Sequence, residues 1–184
     1  MPTPLAPLPF ESEATEGDLA LMARQLGREM RGVHSIARRC VCGAPAVVRT
    51  VPRLPDGSPF PTSLYLTLPS MVEACSRLEA RGLLAEWTAE LEGSEDLQRR
   101  YASAHERYLE RRAELGSAEE IEGVSAGGMP TRVKCLHAVV GQALAEGPDV
   151  NPFGDRALDM AAADTRIDRC RCEVTPASLK EEGK

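Results

Sequence analysis

Val33-His34-Ser35-Ile36-Ala37-Arg38-Arg39, followed by Cys40-Val41-Cys42-Gly43 and Ala46-Val47-Val48-Arg49-Thr50-Val51, decides the fold of this chain. The first run alternates loosely and reads as a strand. Cys40–Gly43 is a turn, and the β-branched run from Ala46 to Val51 is a second strand. Beyond it, Leu54-Pro55-Asp56-Gly57-Ser58-Pro59-Phe60-Pro61-Thr62 is a long turn, because Asp-Gly supplies positive φ and the prolines forbid a ladder. Ser63 to Leu68 gives a third, short β run. The three strands form a small antiparallel sheet near residues 33–68.

Outward from that sheet the pattern turns helical. Asp18 is expected to cap a helix running to Glu29, with Leu19, Met22, Ala23 and Leu26 at helical spacing. Pro69 suits the first turn of a helix ending near Gly82, and Leu83–Glu92 continues as a second segment. Ser94 caps a third, whose Glu95 and Asp96 favour its N-terminal dipole. Its stripe is Leu97, Tyr101, Ala104, Tyr108 and Leu115. A loop from Glu119 to Pro130 precedes a helix capped by Thr131 and ended by Gly147, and Asp155–Ala163 forms a last helix. The fold class is α+β, a mostly helical single domain. Residues 1–15 are expected to be disordered, residues 16–163 to form the globular domain, and residues 164–184 to form a polar tail holding Cys170 and Cys172.

Composition narrows the functions. The chain has 184 residues, 42% hydrophobic and 27% charged, with aromatics at only 4%; the core must therefore be aliphatic. Arg outnumbers Lys nineteen to three, which suggests GC-rich coding and a bacterial source. No apolar run approaches the roughly 20 residues of a membrane span, and Met1–Phe10 has no cationic n-region, so a cytoplasmic location without membrane insertion is expected. The net charge of −6 is uneven: Arg24 to Arg53 holds seven Arg and one acid, Glu29, whereas Glu73 to Glu122 holds thirteen acids and seven Arg. The Arg-rich stretch is either a solvated face or a surface for a phosphate-bearing ligand or an acidic protein partner. The acidic total, and the lack of aromatics among the Arg residues, count against nucleic acid.

Chemistry concentrates in Ser125-Ala126-Gly127-Gly128-Met129-Pro130 and Arg132-Val133-Lys134-Cys135-Leu136-His137. A cysteine in the first turns of a helix beside Arg132 and Lys134 should have a lowered pKa. The Gly127-Gly128 loop, with Arg132 and Lys134, is a candidate anion site. At ~100° per residue, Val133, Leu136, Val140 and Leu144 form the buried face of that helix. Cys135 and His137 then diverge by about 200°, so they share a metal only if the first turn is irregular. The plain alternative is a tight glycine turn, a packed cysteine and a rim histidine.

Cysteine usage points to metal or redox chemistry before disulfides, since cytosolic thiols stay reduced. Cys40/Cys42 and Cys170/Cys172 are both Cys-x-Cys pairs. Together with Cys135 and His137 they offer ligands suited to zinc or iron, although no Cys-x-x-Cys finger spacing occurs. Cys75, with Val72 and Leu78, belongs to a core helix face. No Walker loop, nucleophile elbow or dinucleotide fingerprint is present.

The chain resembles the bacterial "domain of unknown function 501" family in its actinobacterial form. The resemblance runs in order from Gln25-Leu26-Gly27-Arg28 and Arg31-Gly32-Val33 through Arg39-Cys40, Pro52-Arg53-Leu54-Pro55-Asp56-Gly57, Pro59-Phe60-Pro61-Thr62 and Tyr65-Leu66-Thr67. It continues through Ser76-Arg77-Leu78-Glu79, Ala104-His105-Glu106, Tyr108-Leu109 and the Ser125–His137 motifs to Asn151-Pro152-Phe153-Gly154-Asp155. It covers about residues 18–163. It implies no established activity. It does imply a gene neighbourhood of enolase, a septum-formation initiator and an exopolyphosphatase, and hence a link to cell division or polyphosphate metabolism. Cys40, Cys135, His137 and His105 match family positions, whereas Cys42, Cys170 and Cys172 do not. Leu68 stands where family members often carry Cys or His. The implied metal set is therefore Cys40, Cys135 and His137, with Cys42 as a substitute fourth ligand.

Three functions stay open. The first is an accessory or binding protein with a Cys/His site holding zinc or iron. The second is an enzyme on a phosphorylated or anionic substrate, with Cys135 as nucleophile and His137 or His105 as acid/base. The third is a structural interaction module.

Overall fold

The computed structural model describes residues 5–182. Among them, seven α-helices and four short strands form one α+β unit. The strands β1 (Ser12–Glu13), β2 (Val33–Arg39), β3 (Pro45–Thr50) and β4 (Leu64–Leu66) lie in the order β1-β2-β3-β4, every pair antiparallel. The helices are α1 (Glu16–Leu26), α2 (Pro69–Ala80), α3 (Leu83–Glu92), α4 (Glu95–Ala113), α5 (Leu136–Glu146), α6 (Pro152–Ala161) and α7 (Pro176–Glu182), with one 3-10 turn at Glu119–Ile121.

All six residues of β3 are buried, because the sheet is covered on both faces. Side chains of a strand alternate between faces. Val47, opposite Leu66, joins the main core, while Val48 packs with Ile36 and Met22 of α1 on the other side. The central helix of the main core is α5, buried on all sides except at His137 and against the sheet, α2 and α6. This differs from the expected single buried face: a helix apolar all round needs neighbours all round, and α5 has them. Gly154 shows how closely α6 crosses it, since a Cβ there would lie 2.3 Å from the Val139 carbonyl oxygen. Phe153 beside it stacks on Trp87 and meets Tyr101 edge-on, with ring centroids 5.6 and 5.0 Å away.

Both ends of the expected domain shift. Residues 5–15, expected to be disordered, contribute the edge strand β1 and the buried Leu8; the expected disorder of residues 1–4 lies outside the described residues. Thr15, not Asp18, is the N-cap of α1. Asp18 closes a capping box by accepting from the Thr15 N–H, and also accepts from Arg39 at 2.6 Å. The expected polar tail after residue 163 returns to the body, placing Ile167, Cys172, Val174 and Leu179 against the core. No helix among the described residues is long and apolar enough to cross a membrane.

Candidate metal centre

Among the described residues, two groups of ligating side chains have all their donor atoms within 4.8 Å of one another: Cys40, Cys42, Cys170 and Cys172, and separately Glu79, Cys135 and His137. The structure thus divides the expected set of Cys40, Cys135 and His137. Cys40 belongs to the first group and the other two to the second.

The first group is built on the β2–β3 connection. The Cys40 N–H donates to the Ala44 carbonyl and the Gly43 N–H to the Cys40 carbonyl, and Gly43 takes φ +89° to close the turn. Arg39 braces it, donating to the Gly43 carbonyl while it pairs with Asp18. The returning segment docks through the Val41 N–H, which donates to the Ile167 carbonyl at 2.7 Å. Docking brings Cys170-Arg171-Cys172 against the turn, and the i, i+2 spacing puts both sulfurs on one side of an extended segment. Cys172 Sγ lies 3.7 Å from Cys40 Sγ, and the Cys172 N–H is directed at Cys170 Sγ at 3.4 Å. Four sulfurs about 2.3 Å from a tetrahedral zinc would have edges of about 3.8 Å. All four cysteines are free thiols, grading from buried Cys40 to exposed Cys170.

Electrostatics vary within the cluster. The Cys172 amide lowers the Cys170 thiol pKa. Burial raises Cys42, against the Ala44 amide that lowers it. Burial and the neighbouring thiols raise Cys172. Four thiols this close cannot all ionise without a cation among them.

The second group lies where α5 begins. Thr131 was the expected cap, but the helix starts at Leu136 and Cys135 is its N-cap, with extended backbone at φ −150° and ψ 115°. Tertiary contacts hold the preceding residues out of the helix: the Val133 N–H donates to Thr88 Oγ1 and the Lys134 N–H to the Gly127 carbonyl. The expected divergence of Cys135 and His137 therefore does not arise. Cys135 Sγ lies 3.7 Å from His137 Nδ1, and Glu79 Oε1 of α2 lies 3.2 Å from the same nitrogen. Glu79 Oε1 also accepts the Leu136 N–H at 2.7 Å. His137 Nε2 faces the Val72 carbonyl at 3.2 Å and Ser76 Oγ at 3.3 Å. Burial pushes the Cys135 thiol up, but the His137 imidazole and the Ala138 amide together outweigh it and the net shift is downward. His137 is raised, by Cys135 first and then, against burial, by Glu79.

The other candidates lie apart from these groups. The Gly127 and Gly128 carbonyls accept from the Lys134 and Arg132 N–H groups, so the loop spends its carbonyls on its own closure. Gly128 must be glycine, because a Cβ would lie 2.7 Å from the Arg132 carbonyl oxygen. Lys134, with Gly127, borders a cavity beside Cys135; Arg132 is exposed. His105 Nδ1 pairs with Ser125 Oγ at 2.8 Å, and burial lowers its pKa. Leu68 is buried as the N-cap of α2 and belongs to neither group. Cys75 is in the core, its thiol pushed up to about 12 by burial.

Glu79 was missed by the sequence reading. A signal for it exists: Val72, Ser76 and Glu79 are spaced i, i+4, i+7 on α2, so they share one face, and that face meets His137.

Fold and site together define an α+β protein in which a cysteine turn between two strands meets a second cysteine pair near the C-terminal end of the described chain. Residues 36–159 match the family model described as "Protein of unknown function (DUF501)", and the chain belongs to that family. The matched span contains Cys40, Cys42, Glu79, Cys135 and His137; Cys170 and Cys172 lie beyond it. No curated protein and no solved structure matches the chain.

Proposed function

We propose that this protein is a metal-binding accessory protein, with one zinc held by Cys40, Cys42, Cys170 and Cys172. The observation that carries the reading is the convergence of two remote Cys-x-Cys pairs, all four sulfurs within 4.8 Å of one another. An all-sulfur set suits structural zinc, which closes its coordination sphere and contributes directly to folding. Iron suits the same donors and is the alternative occupant. The metal staples the C-terminal segment to the β2–β3 turn, so the returning chain becomes part of the folded surface. A cytoplasmic role linked to cell division or polyphosphate metabolism is supported by the gene neighbourhood that the family resemblance implies.

The test is elemental mass spectrometry of untagged protein beside Cys40→Ser and Cys172→Ser variants. The expected result is a metal in the wild type, with one equivalent lost in each variant. Wild-type protein that takes up no metal when zinc and iron are supplied, or variants that keep the full content, would overturn the reading.

A further inference from the structure

The group at the start of α5 has a different character from the four-cysteine cluster. Its three donors are one sulfur, one nitrogen and one oxygen, contributed by Cys135, His137 and Glu79. A tetrahedral zinc with bonds of about 2.3 Å to sulfur and about 2.0–2.1 Å to nitrogen and oxygen sets the S···N edge near 3.6 Å and the N···O edge near 3.3 Å. The observed edges are 3.7 Å and 3.2 Å. The outer atoms fit the same purpose. His137 Nε2 faces the Val72 carbonyl, which can hold a proton on Nε2 when a metal displaces the proton from Nδ1 and takes up its lone pair between Cys135 and Glu79. This is the usual support of a metal-bound histidine. Glu79 is oriented by the Leu136 N–H. Cys135 and His137 also line a cavity of about 500 Å³ walled by Leu26, Leu64, Leu66 and Val72, with Lys134 among its lining residues.

We propose that Glu79, Cys135 and His137 hold a second zinc with its fourth position open to this cavity. Three protein donors and one open position are the arrangement of zinc sites that bind or activate a ligand, in contrast to closed structural sites. The cavity walls select an apolar body, and the zinc with Lys134 selects an oxygen headgroup carrying negative charge. The ligand class is therefore an apolar molecule ending in a carboxylate or a similar anionic chelating group. The site stands independently of the four-cysteine centre, since the two share no residue.

The test uses full-length protein stripped by chelator and titrated with cobalt(II) as a spectroscopic stand-in for zinc, beside Glu79→Gln, Cys135→Ser and Cys170→Ser. Glu79→Gln keeps an acceptor for the Leu136 N–H, and circular dichroism checks that each variant folds. The expected wild-type stoichiometry is two metals per chain, falling to one in Glu79→Gln and Cys135→Ser. An alkyl hydroxamate is expected to change the cobalt absorption of the wild type and of Cys170→Ser, and to leave Cys135→Ser unchanged. A single wild-type metal that Cys170→Ser removes and Glu79→Gln retains would overturn this inference while leaving the four-cysteine reading in place. A single metal with the reverse dependence would uphold it and overturn the other. Two metals without a hydroxamate response would overturn the open position, and alkylation of Cys135 undiminished by saturating metal would overturn its role as a ligand.

Discussion

Removing the metal from the four-cysteine centre should release the C-terminal segment and spare the rest of the fold. The magnitude follows from how little else holds that segment. Ile167, Val174 and Leu179 are only partly buried. At roughly half of the 1.5–3 kcal/mol for a fully buried aliphatic side chain, they supply about 2–5 kcal/mol together. Ordering the backbone of only five residues costs about as much or more, at about 1–2 kcal/mol each. Structural zinc contributes on the order of 10 kcal/mol at neutral pH, so a zinc held by the four cysteines would decide whether the segment docks. The main core is centred on α5 and contains Trp87, Tyr101 and Phe153 as well as Cys40; only Cys40 ties it to the metal, so it is expected to stay folded without one. The assay is hydrogen–deuterium exchange read by mass spectrometry before and after chelation of the Cys135→Ser protein, in which the four-cysteine centre alone is left to lose its metal. Amides of residues 166–174, and the Val41 N–H that donates to Ile167, should lose protection, while α5 keeps its protection. Unchanged protection of residues 166–174 with the metal demonstrably gone would refute the reasoning, as would loss of protection throughout α5.

Other expected outcomes concern the body of the fold. Glu146→Ala removes the buried acceptor of Arg107 and Arg111; the Arg111 side chain is 2% exposed, and its Nε lies 3.3 Å from Glu146. Breaking such a buried pair should cost about 3 kcal/mol, seen as a lower urea midpoint. Phe153→Ala should cost about 3–5 kcal/mol, read as a fall in Tm, since it opens a cavity between Trp87 and Tyr101. Burial raises the Asp18 pKa, but Arg39 and Thr15 outweigh it and hold the group below the usual carboxylate value. Its stabilisation is therefore present above about pH 4 and lost as pH falls through the folded-state value. Asp18→Asn should flatten that acid limb in pH-dependent denaturation, and an unchanged limb would count against the Asp18–Arg39 pair.

Local chemistry was legible in the sequence, and long-range contact was not. The run Val33–Arg39 is a strand with those bounds, and Leu83–Glu92 a helix with those bounds. Ser94 caps α4 by accepting the Leu97 N–H. Each of these depends on neighbours within a few residues. The strand β1 is two residues long and exists because Ser12 and Glu13 find β2; no local pattern marks so short an edge. The start of α5 was misplaced because Thr88 and Gly127 capture the Val133 and Lys134 amides from outside the segment. Cys170 and Cys172 sit in a polar stretch that resembles a tail, and their meeting with Cys40 and Cys42 is a tertiary event that spacing alone does not encode. Both Cys-x-Cys pairs were visible as candidate ligands; what the sequence withheld was that they face each other while Cys135 and His137 face Glu79.

The most direct test of the central claim is X-ray absorption at the zinc edge on the Cys135→Ser protein, where the second site is disabled. The account expects a single shell of four sulfur neighbours at about 2.3 Å. A shell dominated by nitrogen or oxygen at about 2.0–2.1 Å would contradict it.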